Sequence, residues 1–404
     1  MAKKLRVGVL FGGRSGEHEV SLRSADSILK AIDRKKFEVV PIGITKTGQW
    51  LGGADADALL TGGALPQISS AAGKKTSTRK AHADAVAGVE AAFADEEEAG
   101  PSAALSLQAS ATGSKAAGLD VVFPVLHGTF GEDGTIQGLL ELANVAYVGA
   151  GVLGSSVSMD KDAMKKMFAA AGLPLVKHVT LLRGDWATSP RKCTNAIEAA
   201  LQYPLFVKPA NLGSSVGISK VRERKELAAA MNEAAKFDRK IVIEEGVSGQ
   251  GKLRGKGKAR ELEVAVLGND NPVASVVGEI VPDREFYDYA SKYDGGSTSE
   301  PVIPAKLTRA ESKAIQAMAV AAFKSCDCAG LARVDFLMEA AVPGAKKAPR
   351  IYLNEVNTMP GFTSISMYPK LWEASGIGYS ELISRLIALA MERHDERKAT
   401  RFSV

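Results

Sequence analysis

The stretch VKPANLGSSVGI, residues 207–218, delivers Lys208 at the end of an apolar run and then places Gly213, Ser214, Ser215, Val216 and Gly217 in succession. Gly213 and Gly217 allow a tight turn that exposes successive N–H groups, the two serines add hydroxyl donors, and Lys208 adds a point charge. Such a set suits a loop folding over phosphates. The competing reading is a plain hairpin with a surface lysine. A second cluster lies in LARVDFL and IYLNEVN. On strands, Arg333 and Asp335 share one sheet face, as do Glu355 and Asn357. Apolar flanks mark both strands as buried, where charge costs several kcal/mol unless compensated. A divalent cation on Asp335, Glu355 and Asn357 would compensate, and all-oxygen ligation suits magnesium, which bridges phosphates. The alternative is an Arg–Asp–Glu ion network without metal. Leu353 shares parity with Glu355, so the polar face is expected to break there.

Smaller signals accompany these. IEEGV ends a strand with Glu244, suited to an adenine edge, and RELEVAV starts one with Glu261, within reach of a ribose; either acid is equally readable as solvated. VLHGTFGEDG puts His127 at a strand end, and FGGRSGEHEVS puts Glu17 and Ser21 at a helix start, the edges where open α/β sheets take ligands. GAGVLG at 149–154 matches G-x-G-x-x-G, but the acid that a dinucleotide site needs about 20 residues on is missing, so a domain-linking turn is expected. No G-x-x-x-x-G-K-[ST] occurs.

These residues need elements to hold them. LRVGVLF, EHEVSLRSADSILKAI and FEVVPIGIT read as strand, helix and strand, and DVVFPVL followed by a helix from Thr135 repeats the unit. A parallel α/β sheet therefore opens the chain. Residues 51–118, rich in Ala, Gly and Ser, read as an insertion. SMDKDAMKKMFAAAGLP reads as a helix capped by Ser158 and ended by Gly172, opening a small α+β unit. Thr308 and Glu311 spell a capping box before a long helix, and the 332–338 and 350–357 strands follow. With 404 residues, two to three domains are expected. The fold class is α/β, divided at 1–149, 150–243 and 244–404.

Composition bounds the rest. Apolar and charged fractions of 46% and 24% are those of an ordinary globular protein. No apolar run is long enough to span a membrane. The basic-then-apolar start meets Gly-Gly-Arg rather than a cleavage site and reads as a strand. Net charge is +5, but only 251–260 is a basic cluster, read as a solvated loop rather than a nucleic-acid site. Cys193, Cys326 and Cys328 fit neither a disulfide framework nor zinc spacing, which points to a reducing, cytoplasmic setting.

Taken together, FGGRSGEHEVS, FPVLHGTFGEDGTIQG, SMDK, FVKPANLGSSVGISKV, FYDYASKY, ARVDF and NEVNTMPGFTSISMYP resemble the D-alanine–D-alanine ligases of the ATP-grasp superfamily, in family order over nearly the whole chain. The resemblance implies a three-domain fold with ATP clamped between the central and C-terminal units. It implies that Lys161 and Lys208 contact the phosphates under the Ser214–Ser215 loop. Glu244 and the Val247 backbone would face adenine between Phe206 and Phe286, and Glu261 would hold ribose. Asp335, Glu355 and Asn357 would carry magnesium (or manganese). Glu17 would anchor the first D-alanine, with His127 at that substrate's edge. Arg333 and the Gly361 N–H would form the oxyanion site, and Ser366, beside Met367, would receive the second substrate. Lys292 and Tyr293 would come from a closing loop, in which neutral Tyr293 favours an amine over a hydroxy acid. The implied activity is ATP-dependent joining of two D-alanines, through an acyl phosphate, for peptidoglycan synthesis. D-lactate- or D-serine-adding relatives, or another carboxylate–amine ligase, are the alternatives. A homodimer is implied by resemblance alone. Glu245 stands where the family often has Lys, and the 250–259 insert has no assigned role.

Overall fold

Apolar runs with parallel-strand texture build the first sheet. A computed structural model describes residues 3–63, 118–213, 216–247, 258–281, 300–340 and 348–401. β1 (Leu5–Gly12), α1 (His18–Ala31) and β2 (Phe37–Ile44) form the expected unit. β3 (Trp50–Gly52) and α2 (Gly53–Thr61) follow, so the insertion expected from 51 begins with ordered structure; residues 64–117 lie outside the described residues. β4 (Val121–Val125), α3 (Thr135–Leu142) and β5 (Ala146–Tyr147) complete a five-stranded sheet of order β3-β2-β1-β4-β5. β1, β2, β4 and β5 run parallel, and β3 is an antiparallel edge.

The next segment departs from expectation. α4 (Val152–Met159) and α5 (Lys161–Ala170) are two helices, parted at Asp160. Ser158 is inside α4, buried against Cys328 Sγ, and is not the cap. Asp160 is the cap, its Oδ1 accepting from the Asp162 and Ala163 N–H groups. A carboxylate serves that position through both hydrogen bonding and the positive end of the helix dipole. Gly172, with φ +69°, follows the helix as expected.

β6 (His178–Leu182), α6 (Arg183–Thr188), α7 (Pro190–Ala200), β7 (Leu205–Pro209), β8 (Ser219–Val221), α8 (Arg224–Phe237) and β9 (Lys240–Glu245) form the central unit, with sheet order β6-β9-β7-β8. β9 continues to Glu245, past the junction expected at 243/244. Trp186, Ile197, Leu205, Met231 and Ile243 belong to its own core.

The last sheet, β12-β11-β10-β13-β14, is antiparallel: β10 (Arg260–Gly268), β11 (Val273–Val281), β12 (Glu300–Val302), β13 (Gly330–Met338) and β14 (Ile351–Asn357). α9 (Arg309–Ser325) packs on it behind the expected capping box, Thr308 accepting from Glu311 N–H while Glu311 accepts from Thr308 N–H. The turn at Pro343-Gly344 lies outside the described residues. α10 (Met367–Ala374) and α11 (Tyr379–Lys398) return the chain to its beginning. Phe362, Tyr368, Leu382 and Leu386 share one core with Val7, Phe11 and Phe123 of the first sheet. The first and last parts of the sequence are thereby joined through buried apolar surface, the dominant favourable term in folding.

Candidate active site

Strand pairing decides where the charged residues meet. β9 lies between β6 and β7, and its register puts Glu244 opposite Phe206 and Lys208 opposite Val242. The Glu244 carboxylate is buried and holds two lysines, Lys208 Nζ at 2.7 Å and Lys165 Nζ at 2.8 Å. Lys165 sits one turn after Lys161 on α5. Burial pushes the Glu244 carboxyl up, but the two ammonium groups outweigh it and hold the acid ionised, well below the usual carboxylate range. Burial opposes the Lys208 charge too, and Glu244 more than offsets it, raising that lysine. Lys161 is depressed by burial and by the neighbouring Lys208 and Lys165, with Glu355 and Glu244 acting the other way. Its Nζ donates to the Leu212 carbonyl (2.6 Å), propping the loop that leads into Gly213. The Glu244 side chain is thus spent on lysines, and of the groups expected to face adenine only backbone on β9 and at Val247 stays clear of that ion pair. Phe206 packs against Gly246, where a Cβ would meet its ring at 3.2 Å. Glu261, on β10, is close enough to act on the Lys208 charge.

The β13–β14 hairpin brings Arg333 opposite Asn357 and Asp335 opposite Glu355. The register then shifts, so that Phe336 pairs with Leu353. This irregularity resolves the parity conflict: Leu353 turns into the apolar core while Glu355 stays on the polar face. Arg333 grips Asp335 in a bidentate pair, both contacts 2.7 Å, and reaches Glu263 at 3.2 Å. Burial opposes the guanidinium charge, but Asp335 and Glu263 raise its pKa well above the ordinary value. The ion network of the alternative reading is therefore present at Asp335. Among the described residues, no three His, Cys, Asp or Glu side chains form a closed metal cage. The set Asp335, Glu355 and Asn357 still fits a hard cation: Asn357 donates its amide NH₂ to Asp335 (3.0 Å), which leaves its carbonyl oxygen as the ligand atom.

A third group forms at the C-terminal ends of β1 and β4. Glu17 stands at the start of α1, bracketed by two glycines. A Cβ at Gly128 would lie 3.2 Å from Glu17 Oε2, and one at Gly213 would lie 3.6 Å from Oε1. Gly128 also has φ +74°, which disfavours any other residue. Glu132 stands nearby, accepting from Gly128 N–H (2.7 Å) and Met359 N–H (3.1 Å). Enclosure and the Glu17 charge push its carboxyl up to about 8. His127, expected at the substrate, has both ring nitrogens engaged by protein: Nδ1 with the Met359 carbonyl at 2.9 Å and Nε2 with Ser24 Oγ at 3.0 Å. Its role is internal, because the buried imidazole has no nitrogen left for a ligand. Ser21 is structural as well, accepting from Gly12 N–H and donating to the Val125 carbonyl.

Beyond β14, Ser366 Oγ accepts from Thr363 N–H (3.1 Å) and lies 2.8 Å from Thr363 Oγ1. A Cβ at Gly361 would meet Ser366 Oγ at 3.2 Å, so these two expected residues are neighbours. Met367 opens α10. Ser214, Ser215, Phe286, Lys292 and Tyr293 lie outside the described residues. Lys165, Glu263, Glu132 and Ser24 were not read from sequence. Lys165 was signalled by its i+4 spacing from Lys161, and Glu263 by alternation with Glu261. A cavity of about 440 Å³ opens among Arg14, Ser15, Trp50, Leu126, His127 and Phe130; its lining includes the Arg14 cation but none of the lysines and carboxylates described above.

Comparison with known proteins agrees with this geometry. Residues 6–150 match the D-ala D-ala ligase N-terminus model and residues 167–388 the D-ala D-ala ligase C-terminus model. The chain is 48% identical over 395 residues to the D-alanine–D-alanine ligase of Geobacillus thermodenitrificans, covering 98% of each. It is 47% identical over 408 residues to that of Ruminiclostridium cellulolyticum, again covering 98% of each. Among solved structures, the D-alanine–D-alanine ligase from Coxiella burnetii aligns with a TM-score of 0.72 at 33% identity, over 98% of this chain and 97% of that one. The VanG D-Ala:D-Ser ligase from Enterococcus faecalis aligns at 0.73 and 34%, over 96% and 100%. Full-length identity of this order, with both family models in sequence, establishes that the chain belongs to the D-alanine–D-alanine ligase family.

Proposed function

We propose that this enzyme joins two D-alanines at the expense of ATP, giving D-alanyl-D-alanine, ADP and phosphate for cell-wall synthesis. One observation carries the reading: Glu17, a carboxylate suited to an ammonium ion, is bracketed by Gly128 and by Gly213 of the glycine-serine loop. The amino-acid pole and the phosphate pole therefore meet. The first D-alanine, its ammonium on Glu17, directs its carboxylate at the γ-phosphorus; the O–P bond forms, the bridge to ADP breaks, and an acyl phosphate results. The second D-alanine, its ammonium first deprotonated to solvent, attacks the acyl carbon through its amine; phosphate leaves with its bonding pair, and the proton shed by the nitrogen as the amide forms goes to the departing phosphate. Lys161 and Lys208 draw the phosphates together, Arg333 and the Gly361 N–H receive the negative oxygen, and Ser366 orients the second carboxylate. Asp335, Glu355 and Asn357 would hold magnesium, which when bound neutralises phosphate charge. The resemblance assigns exclusion of water from the acyl phosphate to the segment with Lys292 and Tyr293, which lies outside the described residues.

The test is phosphate release from ATP with D-alanine as the sole amino acid, repeated with D-lactate or D-serine as second substrate. The reading expects D-alanine alone to suffice and to outcompete D-lactate at neutral pH. Release only with another acceptor would overturn it, and the D-Ala:D-Ser neighbour makes D-serine the acceptor to include.

A homodimer completes the proposal. Leu142 is 89% exposed, Leu139 shares α3 with it, and exposed Val152 and Leu153 lie on α4. A second copy covering these side chains would remove them from water. Light scattering of Leu142→Glu would show a monomer against a parent dimer. The three described cysteines are free and buried, in keeping with a reducing cytoplasm, and no described helix is long and apolar enough to cross a membrane.

A further inference from the structure

The loop between β14 and α10 carries the Gly361 N–H, yet three side chains of the first unit hold its backbone. Phe362 N–H donates to Ser24 Oγ (3.3 Å), Ser24 lies 3.0 Å from His127 Nε2, and His127 Nδ1 lies 2.9 Å from the Met359 carbonyl. The direction of every proton follows from one end. A carbonyl only accepts, so Nδ1 carries the imidazole proton, Nε2 accepts from the Ser24 hydroxyl, and the Ser24 oxygen takes Phe362 N–H. The relay leaves the loop at residue 362 and re-enters it at residue 359, enclosing Pro360 and Gly361. Glu132 adds the remaining hold by accepting from Met359 N–H, with its other oxygen fixed by Gly128 N–H. Ser24 is on α1, and Glu17 occupies the N-cap position immediately before that helix. Burial keeps His127 neutral, with its pKa pushed down to about 4, so the relay has the protonation it needs across the neutral range.

We propose that Ser24, His127 and Glu132 are positioning residues that clasp residues 359–362 from the first unit and thereby set the Gly361 N–H where the acyl oxygen gains charge. Arg333 is anchored within its own sheet by Asp335 and Glu263. Within the C-terminal unit the loop's backbone beside Gly361 is held at the Phe362 carbonyl by Tyr379 Oη, and the clasp fixes the Met359 N–H, the Met359 carbonyl and the Phe362 N–H from the first unit. Because Glu17 stands at the N-cap of α1 and Ser24 lies within that helix, the element that seats the first D-alanine also aligns the donor for its carboxylate. The inference rests on the oxyanion role of Gly361 given above.

Ser24→Ala removes the relay's middle without adding bulk, and Glu132→Gln leaves one acceptor oxygen for two N–H groups. Each is expected to lower kcat about 10- to 100-fold, the scale of a donor displaced by about an ångström. ATP KM should stay within about threefold of the parent, because nothing at the lysines changes. The diagnostic readout is phosphate released per dipeptide formed: slowed capture lets water take the acyl phosphate, so the ratio should rise above one. Two results would overturn the clasp. In one, kcat stays within about twofold. In the other, kcat, ATP KM and thermal midpoint decline together while the ratio stays at one, the pattern of a merely structural contact. If Ser24→Ala does not fold, Glu132→Gln decides by the same criteria. Arg333→Met separates the two levels: unimpaired ligation in that variant would sink the oxyanion reading itself, whatever the clasp variants do.

Discussion

The two poles of the site solve opposite electrostatic problems. At the pole assigned to phosphate, Lys165 and Lys208 both pair with the Glu244 carboxylate and Lys161 stands beside them, with side-chain exposure of only 1% for Lys165 and 3% for Glu244. At the pole assigned to the amino acid, Glu17 stands close enough to Glu132 to oppose that acid's ionisation. Buried like charges repel strongly where the dielectric is low, and neither arrangement would persist for stability alone. Under the proposed function each pole carries the sign that its substrate group lacks: cations for phosphate, anions for ammonium. The difference lies in what holds them. Lys165 and Lys208 are locked by an internal counter-ion, whereas Glu132 is held by backbone N–H groups and tolerates a proton.

The largest expected effect breaks that contrast directly. Glu244→Gln leaves two buried ammonium groups without their counter-ion and should destabilise the fold by about 3–5 kcal/mol. Glu17→Gln relieves a like-charge contact and should leave the urea midpoint unchanged or higher while D-alanine KM rises. Equal midpoints for the two variants would show that Glu244 is not the lock. Next in size, Arg333→Met should cost about 10²–10³ in kcat, the scale of one lost oxyanion contact. The loss should fall on dipeptide formation rather than on ATP binding, read by comparing kcat with ATP KM. A variant that loses ATP binding instead would move Arg333 from the oxyanion to the phosphate pole.

The poles were not equally legible in the sequence. Lys208, Gly213, Asp335, Glu355 and Asn357 could be read because glycine, charge and alternation each carry a local physical meaning. The β1–α1–β2 unit and the Thr308 capping box were legible for the same reason. Glu132 was hidden and Lys165 carried only its i+4 spacing, not its partner, since pairing between α5 and β9, or between β4's following loop and residue 359, is set by tertiary register. His127 was visible as a residue but misjudged in role, because its partner Ser24 looks like any helix serine until α1 packs under β4. The Leu353 parity conflict needed a register shift that alternation cannot predict.

The pH dependence sharpens the contrast further. Glu132 has a carboxyl raised from about 4.5 to about 8, so its contribution to stability is full below the unfolded value and is lost as pH rises toward 8. The midpoint of Glu132→Gln, relative to the parent, should therefore improve as pH rises from 5 to 8. His127 has the opposite sign: its pKa is lowered from 6.5 to about 4, so its contribution is present above 6.5 and lost as pH falls toward 4. At pH 7 the ammonium of D-alanine arriving at Glu17 would favour ionisation of Glu132 and release a proton. Titration calorimetry in buffers of different ionisation enthalpy should detect that proton in the parent and none in Glu132→Gln. Equal proton release would remove Glu132 from the coupled pair.

The smallest effect tests whether the poles can be disturbed separately. Asp160 caps the helix that carries Lys161 and Lys165, accepting from the first-turn N–H groups. Asp160→Ala should cost about 1 kcal/mol, the ordinary worth of an N-cap, and Asp160→Asn should recover most of it. Frayed at its start, α5 would aim Lys161 less well at the loop carbonyl of Leu212, so ATP KM should rise modestly while D-alanine KM stays put. Asp160 also pairs with Lys240, so Lys240→Met serves as the control for charge without the cap. A rise in D-alanine KM matching that for ATP would mean that α5 positions both substrates, and that the two poles form one mechanical unit joined through Gly213.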